Sequence, residues 1–170
     1  MNEATVMEEV GVLLERDELA AAEARLSKLL QRHGDSIPAL LMQARIYYHT
    51  GRYEEAIALA RKAVSADPLC EAAYMLLGRA SARMGQVDMA IEQLRKVLYL
   101  KPRLPLAYFE LGNLYQLVGQ LDRAVKAYQN AIHTARSPDA AWEGGFTPEL
   151  LISVCQRNIA RLQNQSSVSS

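Results

Sequence analysis

The chain is short of cysteine, proline, phenylalanine and tryptophan, and it has no excess of charge of either sign. Cys70 and Cys155 are the only thiols in 170 residues, too few and too far apart for a disulfide framework or a metal knuckle. The six prolines fall singly and no Asn-Gly or Asp-Gly pair occurs, so the usual sequence mark of a β-hairpin is missing. Lys and Arg number 19 against 19 Asp and Glu. That balance argues against a nucleic-acid binder, which carries a basic excess, and a 50% hydrophobic content argues against disorder over most of the chain. No apolar run approaches the ~18 residues that a membrane span requires, so no membrane partner is expected. Met1 to Val12 holds Glu3, Glu8 and Glu9 with no basic stretch. A secretory leader is therefore not expected, and a cytoplasmic location is.

What is abundant is Ala and Leu, 25 and 24 residues, against 17 Val plus Ile. Strong helix formers dominate and β-branched residues are scarce, which predicts an all-α chain. The sequence also repeats itself. Gly51, Gly85 and Gly119 are each 34 residues apart, as are Ala56, Ala90 and Ala124. Tyr74 and Tyr108, Leu77 and Leu111, Gly78 and Gly112 follow the same period, and Asp67-Pro68 returns as Lys101-Pro102. Several independent columns sharing one period identify a repeat architecture.

Each unit predicts a helix pair. Residues 37–49, 71–83 and 105–117 carry apolar positions at helical spacing and form first helices. Gly51, Gly85 and Gly119 follow where a helix C-terminus needs positive φ. Second helices are predicted over 53–66, 87–100 and 121–135. On these, Ala56, Ala90 and Ala124 are small where two axes approach closely. Pro68 and Pro102 close their units. Moving back one period predicts a degenerate unit at 3–36, with helices near 3–15 and 18–32 and Asp17 in the turn column. After 138 the period fails. Ser137 to Phe146, with Gly144-Gly145, reads as a loop. Thr147-Pro148-Glu149 then reads as an N-cap and acidic first turn of a final helix over 148–163. Leu151, Val154, Cys155, Ile159 and Leu162 give that helix one apolar stripe able to cap the last repeat. Residues 164–170 are polar and read as a disordered tail.

These columns resemble the tetratricopeptide repeat (TPR). Unit 37–70 supplies Ala44, Tyr47, Ala56, Ala63 and Pro68. Unit 71–104 supplies Tyr74, Leu77, Gly78, Ala90 and Pro102, and unit 105–138 supplies Tyr108, Leu111, Gly112, Tyr115, Ala124, Tyr128 and Ala131. Leu40 replaces the first aromatic, Ser81 an inner tyrosine and Arg136 the closing proline. The resemblance implies a right-handed superhelix of antiparallel helix pairs with a C-terminal capping helix. It also implies a concave surface, lined mainly by first helices, that binds a protein or peptide.

The repeat register assigns three columns to that surface. The first is Met7, Leu41, Met75 and Phe109, an apolar strip suited to a partner helix or extended peptide; the alternative is packing beneath a neighbouring helix. The second is Gly11, Arg45, Arg79 and Asn113. The third is Leu14, Tyr48, Ala82 and Gln116, flanked by Glu15, His49, Arg83 and Leu117. Arg45, Arg79 and Arg83 are candidates for acidic groups on a partner, or alternatively solvated or paired with Glu110 or Glu71. The chaperone-tail clamp of some TPR proteins is excluded: Leu41, Leu76, Leu106 and Glu110 stand where a terminal carboxylate would need polar or basic groups.

A narrower resemblance runs from 71 to 163. Tyr99-Leu100-Lys101-Pro102, Pro105 to Gly112, Gly145 to Leu151 and Ile159-Ala160-Arg161-Leu162 look like the TPR segment trailing bacterial chemotaxis-receptor methyltransferases. It implies a regulatory module whose partner is a chemoreceptor or its own methyltransferase domain. A free-standing scaffold or assembly factor, for pilus, secretion or envelope complexes, is the alternative.

No enzyme is expected. His33, His49 and His133 lie at predicted helix ends, where histidines are usually solvated. Cys155 sits on the apolar stripe as a small hydrophobe. No phosphate loop, His-Glu-x-x-His helix or nucleophile elbow occurs, and no cofactor or metal is expected.

Overall fold

The structure is a computed structural model describing residues 2–142 and 147–168. Among the described residues it contains nine α-helices and no strand. They are α1 Glu3–Glu15, α2 Leu19–Arg32, α3 Ile37–His49, α4 Tyr53–Ala66, α5 Glu71–Arg83, α6 Val87–Leu100, α7 Pro105–Leu117, α8 Leu121–Ala135 and α9 Pro148–Val168. The all-α architecture of helix pairs is the expected one. Residues 143–146 of the loop read over 139–147, Gly144-Gly145 among them, lie outside the described residues, as do Ser169 and Ser170.

The turns explain why the period shows in glycine. Gly51, Gly85 and Gly119 have φ of 79°, 73° and 73°, a left-handed conformation that an L side chain strains to adopt. Asp17, in the same column, takes φ 59° without being glycine. Aspartate is among the few residues that tolerate that well, because its short carboxylate can bond locally. The starts are capped. Asn2 accepts from the Ala4 amide at 3.4 Å, Ser36 from the Ala39 amide at 3.3 Å and Thr147 from the Leu150 amide at 3.3 Å. Pro38 and Pro105 sit in first turns, where their missing N–H costs nothing.

The helices fall into two compact units, Met1–Gln86 and Val87–Ser170. In the N-terminal unit each helix of α1 to α5 packs on the next, and α3 also meets α5. Val10, Ala22, Leu26, Ala44, Ala56 and Ala60 are buried at its centre, with alanines letting helix axes close up. A buried Ser36 hydroxyl ties its first two helix pairs together by donating to Glu3 Oε1 at 2.6 Å.

In the C-terminal unit α7 packs on α6 and α8, and α9 lies mainly along α8. Leu106, Ala124, Tyr128, Ala131, Leu151, Cys155 and Leu162 share one core. Here α9 covers the apolar face that the last repeat would otherwise leave open. It runs to Val168 rather than stopping at 163, so residues 164–168, expected to be disordered, are helical. The segment Asn164 to Val168 contains neither glycine nor proline, and a formed helix propagates cheaply through polar residues that contain no breaker.

Candidate functional site

In the N-terminal unit the expected binding columns lie on α1, α3 and α5. Met7 and Leu41 are half-buried against the core, while Met75 is only 3% exposed. The open apolar strip is corrected accordingly: Met75 is a core side chain, and its register position did not distinguish facing a groove from packing under it. The second column is polar and open. Gly11 has space where a Cβ would stand. Arg45 is exposed, with neither an ion pair nor a hydrogen bond among the described residues. Arg79 is half-buried and partnered.

The third column is an aromatic cluster. Tyr48 is half-buried and meets the Tyr53 ring edge-on at 5.7 Å and His49 at 5.5 Å. Arg83 donates from Nε to the Tyr53 hydroxyl at 3.0 Å and stands 5.6 Å from that ring. A tyrosine from the second helix thus occupies the arginine, rather than the Glu71 or Glu110 weighed from sequence.

In the C-terminal unit Phe109, Asn113 and Gln116 sit together on α7. Phe109 is half-buried, its ring 6.1 Å from that of Tyr128. Tyr128 is completely buried, and its hydroxyl donates to Asn113 Oδ1 at 2.7 Å with Gln116 Oε1 at 3.0 Å. The two exposed amides are therefore oriented from behind by a core tyrosine. Burial pushes the Tyr128 hydroxyl up to about 12, and Asn158 of α9 partly offsets this by hydrogen bonding. Cys155 is buried beside it, its thiol also raised to about 12 by burial. A thiol held protonated is inert at neutral pH, which agrees with its reading as a small hydrophobe.

The sequence missed a polar network in the N-terminal unit. Gln43, 4% exposed, donates from Nε2 to Ser27 Oγ at 3.1 Å and to the Tyr47 hydroxyl at 2.7 Å. Tyr47 donates to Glu23 Oε1 at 3.0 Å. Arg52 Nη1 reaches both Glu23 oxygens at 2.9 and 3.0 Å, and its Nε donates to Glu55 at 2.9 Å. The Arg52 guanidinium lies over the Tyr47 ring at 3.9 Å. Burial, then Glu23, raises the Tyr47 hydroxyl above its usual value. The available signal was that a buried phenol needs a hydrogen-bond partner, and Glu23 and Arg52 were the nearby candidates. Because Glu23 and Arg52 are 29% and 41% exposed, solvent screens their pair. Glu23→Ala should therefore cost only about 1 kcal/mol in a urea melt, mostly from stranding Tyr47.

Family models for the tetratricopeptide repeat match residues 10–69, 41–105 and 107–140. The chain belongs to the TPR family. Membership makes it a protein-interaction module and not an enzyme. Among the described residues no group of three His, Cys, Asp or Glu side chains could hold a metal, and no helix is long and apolar enough to cross a membrane. Among curated proteins none matches this chain. Solved TPR-type structures do. MamA is 22% identical, with a TM-score of 0.70 over 94% of this chain and 95% of its own. A thermophilic TPR protein of Thermus thermophilus is 18% identical, with a TM-score of 0.71 over 97% and 83%. The Yersinia enterocolitica type III secretion chaperone SycD, in complex with a peptide of the translocator YopD, is 20% identical, with a TM-score of 0.69 over 78% and 95%. At these identities the likeness establishes the fold.

Proposed function

We propose that this TPR chain binds an extended or helical segment of another protein against the first-helix face of its N-terminal unit. The observation that carries this reading is Arg45: an exposed guanidinium without an internal partner among the described residues, beside half-buried Leu41 and Tyr48. An unpaired cation next to partly covered apolar surface is suited to an acidic-and-apolar peptide. That SycD has been solved with a translocator peptide supports a peptide as the occupant. The test uses peptides selected from a random library on the wild type. Arg45→Ala with Arg79→Ala should weaken them about ten-fold, the loss of roughly one charge-assisted contact, while the melting transition stays within about 0.5 kcal/mol. Unchanged affinity would remove this face as the site.

The finer reading is that the segment regulates a chemotaxis-receptor methyltransferase. It is supported by the residue pattern over 71–163 alone. Receptor methylation measured with and without this chain tests it, and identical rates would end it.

A further inference from the structure

A second cleft lies in the C-terminal unit, on a different face of α7 from Phe109, Asn113 and Gln116. Tyr108, Leu111 and Tyr115 fall on one side of the helix at 100° per residue, roughly 130° from the other three. The cleft has a volume of about 390 Å³, and Leu111 and Ala127 form its buried floor. Around them stand Arg95 of α6, the half-buried Tyr108 and Tyr115 of α7, and Arg123, Lys126 and Asn130 of α8. Three of the lining side chains are cations and none is an acid. Arg95 and Lys126 have no ion pair or hydrogen bond among the described residues. Lys126 also borders the neighbouring α8–α9 cleft, which holds Asp122.

The protein supplies its own template for reading this arrangement. Two periods earlier the same columns belong to α2, α3 and α4. Tyr47 stands in the column of Tyr115, and a guanidinium lies at its ring in both places, Arg52 at 3.9 Å and Arg123 at 5.9 Å. In the N-terminal unit that phenol and guanidinium hold a carboxylate, Glu23, by three hydrogen bonds of 2.9 to 3.0 Å. The column of Glu23 becomes Ile91 in the C-terminal unit, Glu55 becomes Arg123, Ser27 becomes Arg95 and Ala58 becomes Lys126. These four columns move toward positive charge, while Arg52 becomes Gln120 and Lys62 becomes Asn130, so the guanidinium at the tyrosine ring now comes from the column of Glu55 and the internal carboxylate has gone. The phenol remains as Tyr115, and Arg123 donates from Nη1 to Gln120 Oε1 at 3.0 Å with no carboxylate among the lining side chains.

We propose that the α6–α7–α8 cleft binds an acidic segment of a partner protein, whose carboxylates take the place that Glu23 fills in the N-terminal unit. Tyr108 and Tyr115 provide hydroxyl donors and flat apolar walls, and Arg95, Arg123 and Lys126 provide the charge complement. This site is separate from the first-helix face of the N-terminal unit, so one can fail without the other.

A fluorescein-labelled oligoglutamate peptide titrated into the full chain, followed by anisotropy, tests the proposal. The wild type should bind it, more weakly as salt rises. Arg123→Ser with Lys126→Ser should lower the affinity at least ten-fold, while Arg25→Ser with Lys28→Ser, on the basic surface of α2, should leave it within two-fold. Ile91→Glu restores the carboxylate column and should block the peptide from inside, with the helical circular-dichroism signal intact. Equal binding by the Arg123/Lys126 variant, or loss with the α2 variant instead, would overturn the assignment. So would stronger displacement by inorganic phosphate than by free glutamate at equal ionic strength, or capture on phosphatidylserine vesicles in preference to the peptide.

Discussion

Tyr128→Ala should destabilise the C-terminal unit by about 3–5 kcal/mol, enough to unfold a marginal solenoid segment. The ring is fully buried, it abuts Phe109, and it fills the space over Gly112. A Cβ built on Gly112 would lie 2.6 and 2.7 Å from two Tyr128 ring carbons. Gly112→Ala should therefore lower the urea midpoint by the equivalent of about 1–3 kcal/mol of overlap, although alanine itself favours helix by about 1 kcal/mol. Gly112→Val should do worse. Gly11, also inside a helix, meets nothing within 4 Å, so Gly11→Ala should stabilise by about 0.5–1 kcal/mol. Opposite signs at the two glycines are the discriminating result. If Gly112→Ala stabilises as Gly11→Ala does, the tight glycine–tyrosine contact is wrong. A double-mutant cycle of Gly112→Ala with Tyr128→Leu should show strong coupling, since the smaller side chain relieves the overlap.

The second large effect is alkaline. Tyr128 and Cys155 both have folded values near 12, against ordinary values of 10.0 and 9.0, with burial the main cause in each. A folded value raised above the unfolded one gives stability that is complete below the unfolded value and lost as pH rises toward the folded value. The thiol contribution should begin to decline near pH 9 and the phenol contribution near pH 10. At about 1.4 kcal/mol per pH unit for each titrating group, the C-terminal unit should lose roughly 3–4 kcal/mol between pH 9 and 11. Urea melts at half-unit pH steps would show it. Cys155→Ala should flatten the slope from pH 9 and Tyr128→Phe the slope from pH 10, whatever each costs at neutral pH. A wild-type curve flat to pH 11 would contradict the burial of both groups.

The fold was legible because TPR grammar is local. Positive φ calls for glycine, close axes call for alanine, and each leaves a mark at a fixed spacing; Gly51, Gly85, Gly119 and Ala56, Ala90, Ala124 were enough to place the helices. The candidate site was less legible because register gives direction and not depth. Met75 and Leu41 share a column, yet Met75 is buried and Leu41 half-exposed. Register also says nothing about reach. Asn113 and Gln116 are fixed by Tyr128, and Arg83 by Tyr53, both from second helices that the first-helix columns ignore. Tyr47 and Tyr128 stand in the sequence as repeat aromatics, and the spacing carries no mark of their hydroxyls, which organise the polar chemistry of each unit.

Packing in which each helix chiefly meets its sequence neighbour also has a kinetic consequence. Few long loops must close before the first native contacts form, so hairpins such as α3–α4 and α7–α8 can assemble independently and early. Chains of such low contact order fold on microsecond-to-millisecond timescales. Damage to one hairpin, as at Tyr128, then slows the assembly of its own neighbourhood and leaves a distant pair such as α1–α2 free to form at its own rate.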